Sequence, residues 1–400
     1  MMDVENHVVI ETRGCAGLIT LNRPKALNAL SLAMIRQITA ALLEWHAQPA
    51  IKLVAIRGMG KNPAHAADST APAFTPFGSF CAGGDIRYFH QAIFAGDPSL
   101  EDFFTEEYQL NHLIHTYSKP YVAFMDGIVF GGGMGISQGA SHRIVTERTK
   151  MAMPETGIGL FPDVGGGYFL SRCPGRVGEY LALTGVLMND AQAMSYALAD
   201  IAVQSDRLAA FWESLASTVF INETEVDRFV HDFYIGGLSF GRGTDQEQAF
   251  DRRHEKMNAL EQALRPDIDR IFALPTVPDI FNALEKETSE WALTTLVTLR
   301  KRSPLMLHVV LEQVRGARSM TLADDLRMER NMVRHCFHTH HLGRTGAASE
   351  TVEGIRALAV DKDHAPQWNP ARIEDITPEM VQPFFTSPWP VHAHPIRHLV

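Results

Sequence analysis

Four cysteines are scattered through 400 residues, and none of Cys15, Cys81, Cys173 and Cys336 belongs to a C-x-x-C pair. That pattern fits reduced thiols in a cytosolic protein better than a disulfide framework. Cys81 precedes a glycine loop, but no sequence neighbour supplies it with a base, so it reads as a small buried filler. No apolar run approaches the ~20 residues needed to cross a bilayer, so no membrane partner is expected. Met1 to Asn6 is acidic and lacks the basic, apolar, small-residue order of a signal peptide, which predicts a cytoplasmic protein. A dense Lys/Arg cluster is missing too. With 36 Lys and Arg against 46 Asp and Glu, the net charge of −10 argues against a nucleic-acid partner. A few cations and amides aimed at one place can still hold an anion, so a phosphorylated small molecule stays open.

What is present is a globular composition, 46% hydrophobic and 20% charged, long enough for one large domain or two ordinary ones. His7 to Thr12 and Gly17 to Leu21 read as a hairpin-like strand pair. Ser31 caps a helix with Leu32, Ile35, Ile38, Leu42 and Trp45 at helical spacing, and Ile51 to Ile56 returns to strand. Asn62 to Ser79 reads as a surface loop, long enough to be an insertion. Phe103 to Tyr117 is predicted helical, Pro120 to Met125 a buried strand, and His142 to Thr146 a short strand. Arg176–Leu183 and Asp190–Leu198 are predicted helices. From about Leu208 strand signals stop, and Asp245–Leu264, Asp279–Lys286, Pro304–Val314 and Leu322–Phe337 read as helices. The expected division is a mixed α/β part over 1–205, a helical part over 206–385 and an irregular tail over 386–400.

Three segments bear chemistry. Phe80-Cys81-Ala82-Gly83-Gly84-Asp85-Ile86-Arg87 and Gly131-Gly132-Gly133-Met134-Gly135 are glycine runs; Met153 to Gly167 carries Glu155 and Asp163 around an apolar stretch. Glycine lets backbone approach a ligand, and N–H groups opening a helix are free to hold a developing oxyanion. A run taken alone reads first as a tight turn or close helix–strand packing. Neither fits G-x-G-x-x-G, and no Lys-Ser or Lys-Thr follows, which disfavours a P-loop. Carboxylates beside apolar surface become better bases near neutral pH. From these residues alone, a capping Glu155 and a turn-forming Asp163 remain an equal reading.

Taken in order, these motifs resemble the crotonase superfamily, which includes the enoyl-CoA hydratases. Cys81 to Ile86 resembles its first oxyanion loop and Gly131-Gly132-Gly133 its second. Within it, the resemblance to 3-hydroxyisobutyryl-CoA hydrolases is closest. That rests on Glu106-Glu107-Tyr108 with Leu110-Asn111, Lys119 to Ala123, Met153 to Leu170, Leu181 to Gly185, and Asp361-Lys362-Asp363 with Pro366, Trp368 and Pro370. The similarity spans roughly residues 7 to 386. Two departures are the Asn62–Ser79 insertion and a longer His338–Ser349 loop.

The resemblance implies an α/β fold: a crotonase-like ββα spiral core followed by an all-helical C-terminal region. It implies hydrolysis of a short β-hydroxyacyl-CoA thioester, 3-hydroxyisobutyryl-CoA of valine catabolism above all, with no cofactor, coenzyme A being part of the substrate. The amides of Gly84 and Gly132 would form the oxyanion hole. Glu155 would be the principal catalytic carboxylate and Asp163 its assistant, both binding substrate with Gly132. Glu107 would contact the acyl group at its hydroxyl. Hydratases of the superfamily carry a second glutamate where this chain has Gly135, and glycine where it has Asp163, which favours hydrolysis over hydration. An enoyl-CoA hydratase or isomerase is the alternative enzyme, and a non-catalytic acyl-CoA binder the alternative of another kind. Relatives often form trimers or pairs of trimers, so a homo-oligomer is possible on this resemblance.

Other signals are weighed lower. His335, His338, His340 and His341 read as a polar loop, as do His392, His394 and His398, so no metal is expected. Arg87 reads equally as a contact for a coenzyme A phosphate and as a surface arginine. Trp291, Met306 and Phe337 read as helix-packing residues.

Overall fold

The computed structural model describes residues 6–62, 73–239 and 245–400. Its six-stranded sheet is built from β1 (Val8–Arg13), β2 (Ala16–Leu21), β3 (Leu53–Gly58), β4 (Tyr121–Met125), β5 (His142–Val145) and β6 (Ile201–Ala202). Six helices matter below: α1 (Leu32–His46), α2 (Ser99–His115), α3 (Gly132–Gln138), α4 (Gly166–Ser171), α5 (Pro304–Ala317) and α6 (Leu322–Phe337).

Strand order in the sheet equals chain order. β1 and β2 are an antiparallel hairpin turned at Gly14, and every later neighbour pairs in parallel. β2 and β4 are buried at every position, as strands in the middle of a parallel sheet must be. Ser31 caps α1 by accepting from the Met34 amide, and Met34, Ile35, Ile38, Leu42 and Trp45 form its buried face. Trp45 lies so close to β2 that a Cβ on Gly17 would sit 2.5 Å from its ring. Among the described residues no strand follows Ala202, and helices take over from Leu208. The mixed sheet core with helices after it is the expected fold.

The residues cluster into two compact units, each assembled from three chain segments. The first takes 1–84, 113–151 and 187–263; the second takes 85–112, 152–186 and 264–400. These boundaries cut across the expected break at residue 205. The reason is physical: α2 and the 152–186 segment bury their polar and apolar faces with C-terminal helices, as shown below. The first unit holds the sheet, with Leu18, Leu53, Val122, Phe124, Phe211 and Trp212 in one apolar cluster. In the second, α5 is buried on nearly every side, through Leu305, Met306, Leu307, Val309, Val310 and Val314.

Much of the Asn62–Ser79 stretch, residues 63–72, lies outside the described residues. Its stem is ordered: Gly60 pairs with Thr75 and Lys61 with Phe74, antiparallel. The tail is not loose. Phe384 and Ile396 are buried, Arg327 donates to the Leu399 carbonyl at 2.7 Å, and the rest is turns and short 3-10 segments. Among the described residues no helix is long and apolar enough to cross a membrane.

Candidate active site

In the first unit, both glycine loops run side by side. Cys81 forms a parallel bridge with Val129; the Cys81 amide donates to Ile128 O at 3.0 Å, and the Phe130 amide to Cys81 O at 2.9 Å. This pairing seats the second loop against the first. A Cβ on Gly133 would lie 2.4 Å from Cys81 O, and one on Gly83, whose φ is +97°, 3.6 Å from the Gly132 amide nitrogen. Any side chain at Gly133 would force the loops apart. Gly131 turns at φ 46° and Gly132 opens α3, so the Gly132 N–H has no acceptor within its own helix. Among the described residues, neither the Gly84 nor the Gly132 amide donates to another backbone carbonyl. Two free amides on adjacent turns suit a carbonyl oxygen gaining negative charge. Gly135 is buried within α3, so no carboxylate projects from that position.

The second unit gathers the carboxylates. α2 carries Glu107 and Tyr108; Glu155 opens a short 3-10 turn, Glu155–Ile158; Asp163 lies between that turn and α4. Glu155 and Asp163 are each 6% exposed. Tyr108 donates its hydroxyl to Asp163 Oδ2 at 2.9 Å. One oxygen each of Glu107 and Glu155 is buried without a hydrogen-bond partner among the described residues.

Burial dominates the electrostatics. It lifts Asp163 to about 6, against the opposing bond from Tyr108. Burial, with the nearby charge of Asp163, holds Glu155 well above the ordinary carboxylate range; Glu107 is raised by burial, then by Asp163 and Glu155. The charge of Asp163 thus raises both glutamates, and that of Glu155 adds to the effect on Glu107. Arg302 tempers this. Its guanidinium lowers Glu155, donates to Thr184 O, and lies 2.6 Å from where a Gly157 Cβ would stand.

The turn bearing Asp163 is strained and held from far along the chain. Val164, a buried β-branched residue, takes φ 57°, a left-handed conformation that costs roughly 1–3 kcal/mol. Glu329 on α6 accepts from Gly165 N at 2.8 Å and Gly167 N at 2.9 Å. Asp325 accepts from Tyr168 N at 2.8 Å, and Gln313 on α5 donates to Pro162 O at 2.7 Å. Burial raises Asp325 to about 7 and holds Glu329 well above the ordinary carboxylate range, with the charge of Asp325 adding to it.

Of the residues singled out from sequence, Glu107, Glu155 and Asp163 are brought together electrostatically, and the Gly84 and Gly132 loops meet each other. Tyr108 entered that reading only within a motif, and Arg302, Gln313, Asp325 and Glu329 were missed. A signal existed: Asp325 and Glu329 fall on the same helical period as Leu322, Leu326, Met332, Val333 and Cys336, a buried face.

The histidine cluster is not a polar loop. His335 lies in the last turn of α6 and packs on Phe384, His338 bonds Glu101 at 3.1 Å, and burial pushes His341 down to about 4. In the tail His394 is buried against Asn331 at 3.2 Å. Among the described residues no three His, Cys, Asp or Glu side chains are placed to hold a metal ion. Arg87 lines a pocket of about 280 Å³ with His90, Gln91, Ala359, Val360 and Lys362.

Comparison with known proteins shows the family. The chain is 37% identical over 380 residues to "3-hydroxyisobutyryl-CoA hydrolase, mitochondrial" of Rattus norvegicus, covering 95% of this chain and 89% of the rat protein. Two crystal structures share the fold. One is an enoyl-CoA hydratase from Rhodobacter sphaeroides 2.4.1, with TM-score 0.76 and 32% identity, covering 96% of this chain and 98% of that one. The other is a carnitinyl-CoA dehydratase from Mycobacterium thermoresistibile, with TM-score 0.76 and 31% identity, covering 97% and 98%. Residues 16–385 match the enoyl-CoA hydratase/isomerase family, and the chain is a member of it.

Proposed function

We propose that the protein hydrolyses a short 3-hydroxyacyl-CoA thioester, 3-hydroxyisobutyryl-CoA first, to the free hydroxy acid and coenzyme A. One observation carries the reading: three buried carboxylates, Glu107, Glu155 and Asp163, each raised by burial, with an unpaired oxygen on each of the first two among the described residues. The name of the rat relative supports the substrate.

In this reading the amides of Gly84 and Gly132 hold the thioester oxygen as it becomes an oxyanion. Glu155 acts at the carbonyl carbon, as nucleophile or as base toward water, and Asp163 handles the proton. Water's oxygen ends on the acyl carbon, the C–S bond breaks, and the proton goes to the coenzyme A sulfur. Glu107 contacts the acyl group. Arg87 and Lys362 supply positive charge in their pocket for a phosphate of the coenzyme. No cofactor is required by these steps.

A panel of acyl-CoAs monitored for released thiol, run beside a crotonyl-CoA hydration assay, tests the proposal. Thiol release fastest with 3-hydroxyisobutyryl-CoA is expected; hydration without thiol release would overturn it. Gly135 at the position where a hydratase needs its second acid disfavours hydration. The cytoplasmic placement and a homo-oligomer belong to the same reading. The rat relative's name places that protein in mitochondria. Cell fractionation and light scattering decide both points.

A further inference from the structure

On α2, Glu107 has a neighbour with the same peculiarity. Asn111 is 3% exposed, and neither its amide nitrogen nor its amide oxygen has a hydrogen-bond partner among the described residues. A buried amide left unsatisfied at both ends costs several kcal/mol in general, and native proteins keep such a group where a ligand or water completes it. Its place on the helix says which ligand. At 3.6 residues per turn, positions 107, 111 and 108 stand at about 0°, 40° and 100° around the axis, so Asn111 projects between Glu107 and Tyr108, one turn on. Those two side chains already face the carboxylate group: Tyr108 bonds Asp163, and Glu107 feels the charges of Asp163 and Glu155. A packed core asparagine would have its amide bonded to backbone, and among the described residues Asn111 does not.

We propose that Asn111 is a specificity-determining residue that, with Glu107, binds the hydroxyl of the acyl group and selects hydroxyacyl over deoxyacyl thioesters. This rests on the hydrolase reading above. The chemistry matches a hydroxyl, which both donates and accepts: the Asn111 amide offers a donor and an acceptor, and the unpaired Glu107 oxygen a further polar partner. A deoxy substrate would leave these groups buried and unpaired. A site built to bond a hydroxyl can reject the analogue lacking it by as much as ~10⁴-fold, far beyond what a methyl-sized pocket achieves.

The test is the ratio of kcat/KM for 3-hydroxyisobutyryl-CoA over isobutyryl-CoA in the full-length wild type, Asn111→Ala and Asn111→Leu, with melting temperatures for each. The ratio does not depend on how much enzyme is folded. It is expected to fall on the order of 10–100-fold in both variants. Asn111→Leu, close in size and free of unpaired polar atoms, is expected to melt no lower than wild type. An unchanged ratio overturns the inference, and so does failure of both variants to fold, which would make Asn111 a structural residue. If the wild type releases no thiol from 3-hydroxyisobutyryl-CoA, the hydrolase reading itself fails. If it hydrolyses both substrates equally, only the role of Asn111 does.

Discussion

Tyr108 donates its phenolic hydrogen to Asp163 Oδ2 across 2.9 Å, and both side chains are buried. The bond stabilises the ionised form of Asp163, so it works against the desolvation that lifts this acid to about 6. Tyr108→Phe removes the donor and leaves the ring. The acid limb of kcat/KM against pH is expected to move upward by about one unit, with rates converging again by pH 8. A limb that stays put would separate Tyr108 from the titration of Asp163.

Asp163 should also be a cost to stability. Its folded value, about 6, lies above the ordinary 3.8. The folded state therefore holds the proton more tightly, and stability declines as pH rises between about 4 and 6, remaining lower above that. Asp163→Asn removes the charged form. It is expected to raise the unfolding free energy at pH 8 by up to about 3 kcal/mol and to make little difference at pH 4. Chemical denaturation at the two pH values measures this, and a gain that is larger at pH 4 would contradict the sign.

Glu155 and Glu107 should separate kinetically. Only Glu155 is assigned to the breaking bond, so Glu155→Gln is expected to lower kcat by about 10³-fold. Glu107→Gln should act mainly on KM and on acyl preference. Steady-state kinetics giving equal losses of kcat would count against that ordering.

Glu329 is a positioning residue in this scheme. Glutamine can accept through one oxygen only, so Glu329→Gln would confront one of the Gly165 and Gly167 amides with a second donor, at a cost of about 1–3 kcal/mol. The strained Val164 turn would relax and Asp163 would lose its set position. A kcat reduced roughly 10–100-fold, with KM nearly unchanged, is expected. A lower melting temperature with full kcat would reduce Glu329 to a packing role.

Local chemistry was legible wherever cause and effect lie close in sequence. The Ser31 cap, the hairpin before it, the glycine loops and the bounds of α6 follow from neighbouring residues. The carboxylates Glu155 and Asp163 were singled out through their motif, and the charge of Asp163 reaches Glu155. The grip on the Asp163 turn was not legible, because Glu329 stands 164 residues from the amide it accepts. Short helices such as α4 were hidden for another reason: six residues beginning with two glycines have little helical propensity, and buried carboxylates distant in sequence accept from the amides at its start.

That long reach bears on how the molecule comes into being. While the ribosome has delivered only the segment through α4, the Gly165, Gly167 and Tyr168 amides lack their acceptors, and nothing holds Val164 in its unfavourable conformation. The Asp163 turn can set only after α6 has emerged, 164 residues after Gly165 in the case of Glu329. A nascent or prematurely ended chain therefore carries every motif of the first half without a finished Asp163 turn.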